Sequence, residues 1–179
     1  FFWTSIMSVV YEAPPRAIHY LENIDKKAAM AVTEPVKIAT EVFDTVYLGK
    51  IDGTANQVVV MLDQKCKAIT LNSCKKVAVV CSDVVARIEI VNCQKIQLQI
   101  TGTCPIIQID KTDQTTVYLS QACMQLDPTT MIYSSGCTGV NICSPTADDE
   151  DQVENAVPEQ MKSQVINGKL VSEIVSGDH

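Results

Sequence analysis

The chain has 179 residues, with 14 Lys+Arg against 21 Asp+Glu and a formal net charge of −7; this argues against a general nucleic-acid binder, since phosphate neutralisation needs a basic surface. Arg16 and Arg87 are the only arginines, so bidentate phosphate clamps are nearly excluded too, and no apolar run approaches the roughly 18 residues of a membrane span. The length supports one sizeable core without demanding a second.

In chain order, residues 1–18 read as an N-terminal flank. Phe1–Val10 is apolar and aromatic, but without a basic leading region or a small-residue cleavage site it is not a signal peptide; it is expected to pack on something, with Phe1–Tyr11 a weak strand candidate. Ala13-Pro14-Pro15 breaks it off. The body is expected over 19–145. Strand-like residues recur at Val36, Ile38, Val42, Val46 and Leu48, and Asp52-Gly53 marks a turn.

The segment 69–119 sets the architecture. Shifted by 19 residues it superimposes on itself: Ile69/Ile88/Ile107, Leu71/Ile90/Ile109, Val77/Ile96, Val79/Leu98/Val117, Cys81/Ile100/Leu119 and Val85/Cys104/Cys123 form apolar columns. Lys75/Gln94/Asp113, Lys76/Lys95/Gln114 and Asp83/Gly102/Gln121 form polar ones. Within a unit the apolar residues alternate, as in Ile96-Gln97-Leu98-Gln99-Ile100, the pattern of strands with one buried face. A fixed period near 20 built from strands predicts a solenoid in which each turn rests on the next. The expected fold is therefore all-β: a right-handed parallel β-helix of roughly 19-residue turns around a thin, triangular core, the hand being that of nearly all parallel crossovers. Val58, Val60 and Leu62 extend it backwards, with an insertion ahead of them. Clean turns run over 65–83, 84–102 and 103–121; after Cys123 the loop 125–130 shifts the register by about four residues, so that Ile132, Val140 and Ile142 repeat Ile109, Val117 and Leu119.

Eight cysteines invite a disulfide or metal reading, but no C-x-x-C occurs and the histidines are only His19 and His179. Cys74/Cys93 and Cys104/Cys123 each lie one repeat apart, which suits stacked interior thiols. No metal and no cofactor is expected. The absence of an N-x-[ST] sequon agrees with a cytoplasmic, reducing setting.

Residues 146–156, with the run Asp148–Asp151, read as an acidic linker and a solvated loop. Residues 157–179 follow as a C-terminal dimerisation hairpin and tail: alternating runs 161–166 and 170–175 flank Asn167-Gly168, a strong short hairpin signal. The open end of a solenoid must be covered. A hairpin can cover its own chain or a partner's, and exchange of a terminal element is a low-cost route to a homodimer. The expected dimerisation residues are Val157, Pro158, Met161, Val165, Ile166, Asn167, Gly168, Leu170 and Val171.

No nucleophile–base constellation, P-loop or H-E-x-x-H is present, so no catalytic residue is expected. Asp83, Glu89, Asp110 and Asp113 fall in different columns, against a carbohydrate-active site. Lys75, Lys76, Lys95 and Lys111 mark one side near a corner, with Asp113 beside them. That stripe reads either as ordinary solvated charge or as a protein-binding face.

Several stretches resemble the C-terminal domain of cyclase-associated protein, the actin-monomer-binding family. They are Ile69-Thr70-Leu71-Asn72-Ser73-Cys74-Lys75-Lys76, Ser82-Asp83-Val84-Val85, Ile88-Glu89-Ile90-Val91-Asn92, Ile109-Asp110-Lys111-Thr112-Asp113 and Val117-Tyr118-Leu119-Ser120. Ser134-Ser135, Val157-Pro158-Glu159-Gln160 and Gly168-Lys169-Leu170 follow in the family's order. The resemblance spans roughly Tyr20 to the C-terminus. It implies a β-helix dimerised by exchanged C-terminal strands, which binds actin monomers, prefers their ADP form and promotes nucleotide exchange. The actin-binding positions it implies are Lys75, Lys76, Asp83, Lys111 and Asp113 on the body and Lys169, Leu170 and Val171 in the tail. Gln114 stands where the family has glycine after its T-D pair, Cys137-Thr138-Gly139 departs from it after Ser-Ser, and the tail end differs. The family's helical cyclase-binding, proline-rich and verprolin-homology segments lie outside this sequence. The alternative is a GTPase-activating module similar to the tubulin-cofactor C β-helix, for which Arg87 is the only arginine-finger candidate in the solenoid.

Overall fold

Alternation at period 2 places every second side chain of a repeat inside, and 19 residues suffice for two short strands and two corners. A computed structural model describes residues 16–148 and 150–175. The readings on Phe1–Tyr11, on Ala13-Pro14-Pro15, on Asp149 and on the tail 176–179 fall outside the described residues.

The chain enters as β1 (Ile18–Ile24), passes α1 (Lys26–Met30) and β2 (Val36–Lys37), and continues as β3 (Thr45–Ile51) and β4 (Val58–Leu62). Then come β5 (Cys66–Asn72), β6 (Val77–Cys81), β7 (Val84–Val91), β8 (Gln94–Ile100), β9 (Ile106–Asp110) and β10 (Asp113–Tyr118). After α2 (Gln121–Met124) follow β11 (Met131–Ser135), β12 (Thr138–Pro145), β13 (Gln152–Ala156), β14 (Met161–Ile166) and β15 (Lys169–Ile174).

Successive strands of the body alternate between two sheets, ordered β1-β3-β5-β7-β9-β11 and β13-β12-β10-β8-β6-β4-β2, and neighbours within the body are parallel. The core is thus a flat slot between two facing sheets rather than the expected triangle, because each turn holds two strands. The 19-residue columns are realised as strand register: Ile69 pairs with Ile88 and Ile88 with Ile107, while Val79 pairs with Leu98 and Leu98 with Val117. Ile69, Leu71, Ile88, Ile90, Leu98, Ile107, Ile109 and Val117 are all fully buried.

Three further expectations are corrected. Ile132 pairs with Ile107, Val140 with Thr115 and Ile142 with Val117, so the last turn is inserted by two residues more than the alternation suggested. A two-residue slip keeps the same face inward and leaves no trace in an apolar/polar pattern. Val85 is 47% exposed: the β5–β7 pairing is irregular between Cys66↔Val84 and Ala68↔Arg87, and this bulge sends Val84 inward in its place. Within 146–156, expected to be a linker, β13 lies antiparallel on β12 and extends that sheet. The insertion expected before β4 is present, since β3 meets β5 at Val46↔Ile69 while β4 meets β6 at the regular Val60↔Val79.

The first turn is pinned by one carboxylate. Asp44 accepts from His19 Nε2 (2.8 Å), Ala17 N (3.0 Å) and Glu41 N (3.0 Å), joining β1 to the segment before β3. These bonds, the one from His19 foremost, hold its carboxyl below the ordinary 3.8. A depressed acid contributes stability that is complete above its unfolded value and is lost as pH falls through the folded one. Thermal melts from pH 6 to pH 3 are therefore expected to show the wild type losing stability below about pH 4. Asp44→Asn is expected to melt lower at pH 6 and to change less on acidification; parallel melting curves for the two proteins would contradict this.

Asn167 and Gly168 take left-handed conformations (φ 48° and 75°) between β14 and β15, as the Asn-Gly signal predicts for a hairpin. Among the described residues its strands pair only with each other, through Met161↔Ile174, Ser163↔Ser172 and Val165↔Leu170 on one face. On that face Met161, Val165, Leu170 and Ile174 are 62–70% exposed.

Candidate functional site

Each central turn passes from the first sheet to the second through a tetrapeptide of one design: Ser73-Cys74-Lys75-Lys76, Asn92-Cys93-Gln94-Lys95, Lys111-Thr112-Asp113-Gln114 and Gly136-Cys137-Thr138-Gly139. The first and fourth residues are left-handed in every one, with φ between 47° and 63°. The second points inward, and its Sγ or Oγ donates to the carbonyl two residues back, as Cys93 does to Val91 (3.2 Å) and Thr112 to Asp110 (2.9 Å). Backbone bonds then tie corner to corner: Gln94 N to Cys74 O at 2.9 Å, Asp113 N to Cys93 O at 3.1 Å and Lys76 N to Gln94 O at 2.9 Å. The corner is a rigid edge running along the stack.

That edge carries cations. Lys75, Gln94, Asp113 and Thr138 stand in one register column behind Asp52. Lys76, Lys95 and Gln114 fill a second, Gly139 closing it with its backbone against Gln114. Lys50, Ser73, Asn92 and Lys111 share the equivalent left-handed position ahead of the buried corner residue. None of these five lysines makes an ion pair within 4.0 Å among the described residues; the pairs found there are His19–Asp44, Arg87–Glu89 and Lys162–Glu173. Asp52 is held below its ordinary 3.8 mainly by Thr54, whose hydroxyl and N–H donate at 2.6 and 3.0 Å, and further by the charge of Lys75. A shallow cleft of about 260 Å³ lies beside the edge, lined by Lys76, Lys95, Gln97, Gln114 and Thr116.

The residues singled out in the sequence therefore divide into three places. Lys75, Lys76, Lys111 and Asp113 share this corner. Asp83 sits at the opposite corner, between β6 and β7, where it accepts from Thr103 N (2.8 Å) and Thr103 Oγ1 (3.1 Å) and leaves no room for a side chain at Gly102. Lys169, Leu170 and Val171 lie on β15, exposed. Val157, from the dimerisation set, is half-buried against its own core and donates to Val140 O at 2.8 Å; Pro158 and Met161 line the gap between that segment and the end of β11. Gln114, where the resemblance has glycine, is left-handed at φ 59°, like Lys76 and Lys95 at the equivalent stations of the preceding turns.

Sequence reasoning missed Lys50 and the left-handed stations, because lysine and glutamine carry no turn signal. The polar column Lys50/Ser73/Asn92/Lys111 was the trace available. Arg87 is exposed on the first sheet and its Nε is engaged by Glu89 Oε1 at 2.9 Å, a poor posture for an arginine finger. Among the described residues no group of three or more His, Cys, Asp or Glu is placed to hold a metal, and no helix is long and apolar enough to cross a membrane.

Comparison with known proteins gives a consistent picture. The family model described as adenylate cyclase associated (CAP) C terminal matches residues 19–177. An adenylyl cyclase-associated protein of Dictyostelium discoideum is 39% identical over 118 residues, covering 65% of this chain and 25% of its own. That of Schizosaccharomyces pombe is 34% identical over 138 residues, covering 75% and 24%. The chain thus spans about a quarter of the length of the curated relatives it matches. The crystal structure of cyclase-associated protein from Cryptosporidium parvum superimposes with a TM-score of 0.75 at 25% identity, over 88% of this chain and 90% of that one. With two facing parallel sheets, the shared order of motifs and a family match over nearly its whole length, this chain belongs to the adenylate cyclase-associated protein C-terminal family.

Proposed function

We propose that this chain is an actin-monomer-binding module that acts as a homodimer, engages ADP-actin in preference to other forms and promotes nucleotide exchange on it. The observation that carries the reading is the edge of five lysines, unpaired among the described residues, on a chain of net charge −7, in a family that the motif resemblance links to actin. Unpaired cations on a rigid, hydrogen-bonded edge suit a protein partner, since a small ligand favours an enclosed, mostly apolar pocket. No catalytic step is required. A binder that holds one nucleotide state of actin more tightly shifts actin's equilibrium by linkage, by about 1.4 kcal/mol for a tenfold preference.

The hairpin supports the dimer. Met161, Val165, Leu170 and Ile174 form an uncovered apolar face, and among the described residues the outer edges of β11 and β13 end their sheets unpaired. A second copy supplies the complement to both. Sedimentation velocity of the protein alone and with ADP-actin monomers tests the reading: a dimer that carries actin is expected, and a species that ignores actin at micromolar concentrations would refute it.

A further inference from the structure

Nine described non-glycine residues have left-handed backbones, and four of them are the edge lysines Lys50, Lys76, Lys95 and Lys111. Asparagine and glycine tolerate this conformation; lysine has no preference for it and is strained there. The same stations in the last turn are Gly136 and Gly139, so glycine fits the corner. Residues held in such sparsely populated conformations by the surrounding structure cluster at functional sites, so the outlier points to a function. Here the retained property is positive charge, placed where the stack fixes its spacing.

We propose that Lys50 and Lys95, together with Lys76 and Lys111, seat an acidic extended segment of the protein partner laid along this edge; this rests on the reading that the partner is an actin monomer. Adjacent turns lie about 4.8 Å apart, so Lys50 and Lys111, three turns apart, span about 14 Å, the length of four or five extended residues. Lys76 and Lys95 border the cleft of about 260 Å³, which gives a carboxylate of that segment a seat between two ammonium groups. Asp52 and Asp113, in the column between the two lysine columns, fix the register by repelling a misplaced acid. An anionic bilayer fits less well, because the chain as a whole carries a net charge of −7.

The test compares wild type, Lys50→Gly/Lys95→Gly and Lys50→Gln/Lys95→Gln in titrations of ADP-actin monomers at two salt concentrations. Relief of strain predicts that the glycine pair melts no lower than wild type. Both pairs are expected to bind about tenfold more weakly with a shallower salt dependence, the glutamine pair isolating charge from backbone. Weakening of less than threefold in the glutamine pair overturns the proposal, as does unchanged actin binding accompanied by lost binding to phosphatidylserine vesicles. A wild type that ignores actin sinks the actin reading instead. The same three proteins titrated with a decaglutamate peptide then decide the edge by the same threefold criterion.

Discussion

Removal of residues 161–179 is expected to convert the proposed dimer into a folded monomer. Val157 remains in place, donating to Val140 O and half-buried on the core, so the end of the slot stays partly sealed. What is lost is the apolar face of Met161, Val165, Leu170 and Ile174. Burial of each such side chain against a second copy contributes on the order of 1.5–3 kcal/mol, and 2.7 kcal/mol is already about a hundredfold in Kd. Val165→Lys/Leu170→Lys in the full chain is expected to give the same monomer by charging that face. Sedimentation equilibrium checks both proteins, and a truncated chain that still runs as a dimer would place the interface elsewhere.

The second large effect concerns the core. Ile88 is fully buried and pairs with Ile69 and Ile107 in the neighbouring turns. Ile88→Ala is expected to cost about 3 kcal/mol, within the range for large-to-small core substitutions, and to lower the melting temperature by about 6–12 °C for a chain of this size. Val85→Ala, three residues away on the bulge and 47% exposed, is expected to stay within about 0.5 kcal/mol. Urea unfolding of the two variants measures the contrast. Equal losses would mean that Val85 points inward, as its sequence column alone suggested.

These two positions show where the sequence was legible. Burial forces identical classes into identical columns, so Ile69, Ile88 and Ile107 mark both the sheet and its register in the bare sequence. Irregularity hides from the same logic. The bulge at β7 adds a residue without breaking the apolar run, and the longer corner at α2 slips Ile132 by two, which alternation cannot detect. β13 lies behind an acidic run, all of its residues exposed, and therefore lacked a buried face to read. At the candidate site Lys75, Lys76, Lys111 and Asp113 emerged as one group because their columns lie side by side at the same corner. Asp83, implied as an actin contact by the resemblance alone, is tied to Thr103 at the opposite corner. The left-handed backbone of Lys50 and Lys95 is a property of φ that lysine itself does not signal.

The buried cysteines have a further consequence, for how opening of the stack can be timed. Cys66, Cys74, Cys81, Cys93, Cys104, Cys123 and Cys143 are free and buried along its length. Burial pushes the Cys66 thiol up to about 11 and the Cys104 thiol up to about 12, which leaves almost no reactive thiolate near neutrality. In a nearest-neighbour array, turns can open separately rather than all at once. Alkylation under native conditions therefore works as a clock for each layer: a thiol reacts only while its own turn is open, and single-cysteine variants would resolve which end of the stack frays first.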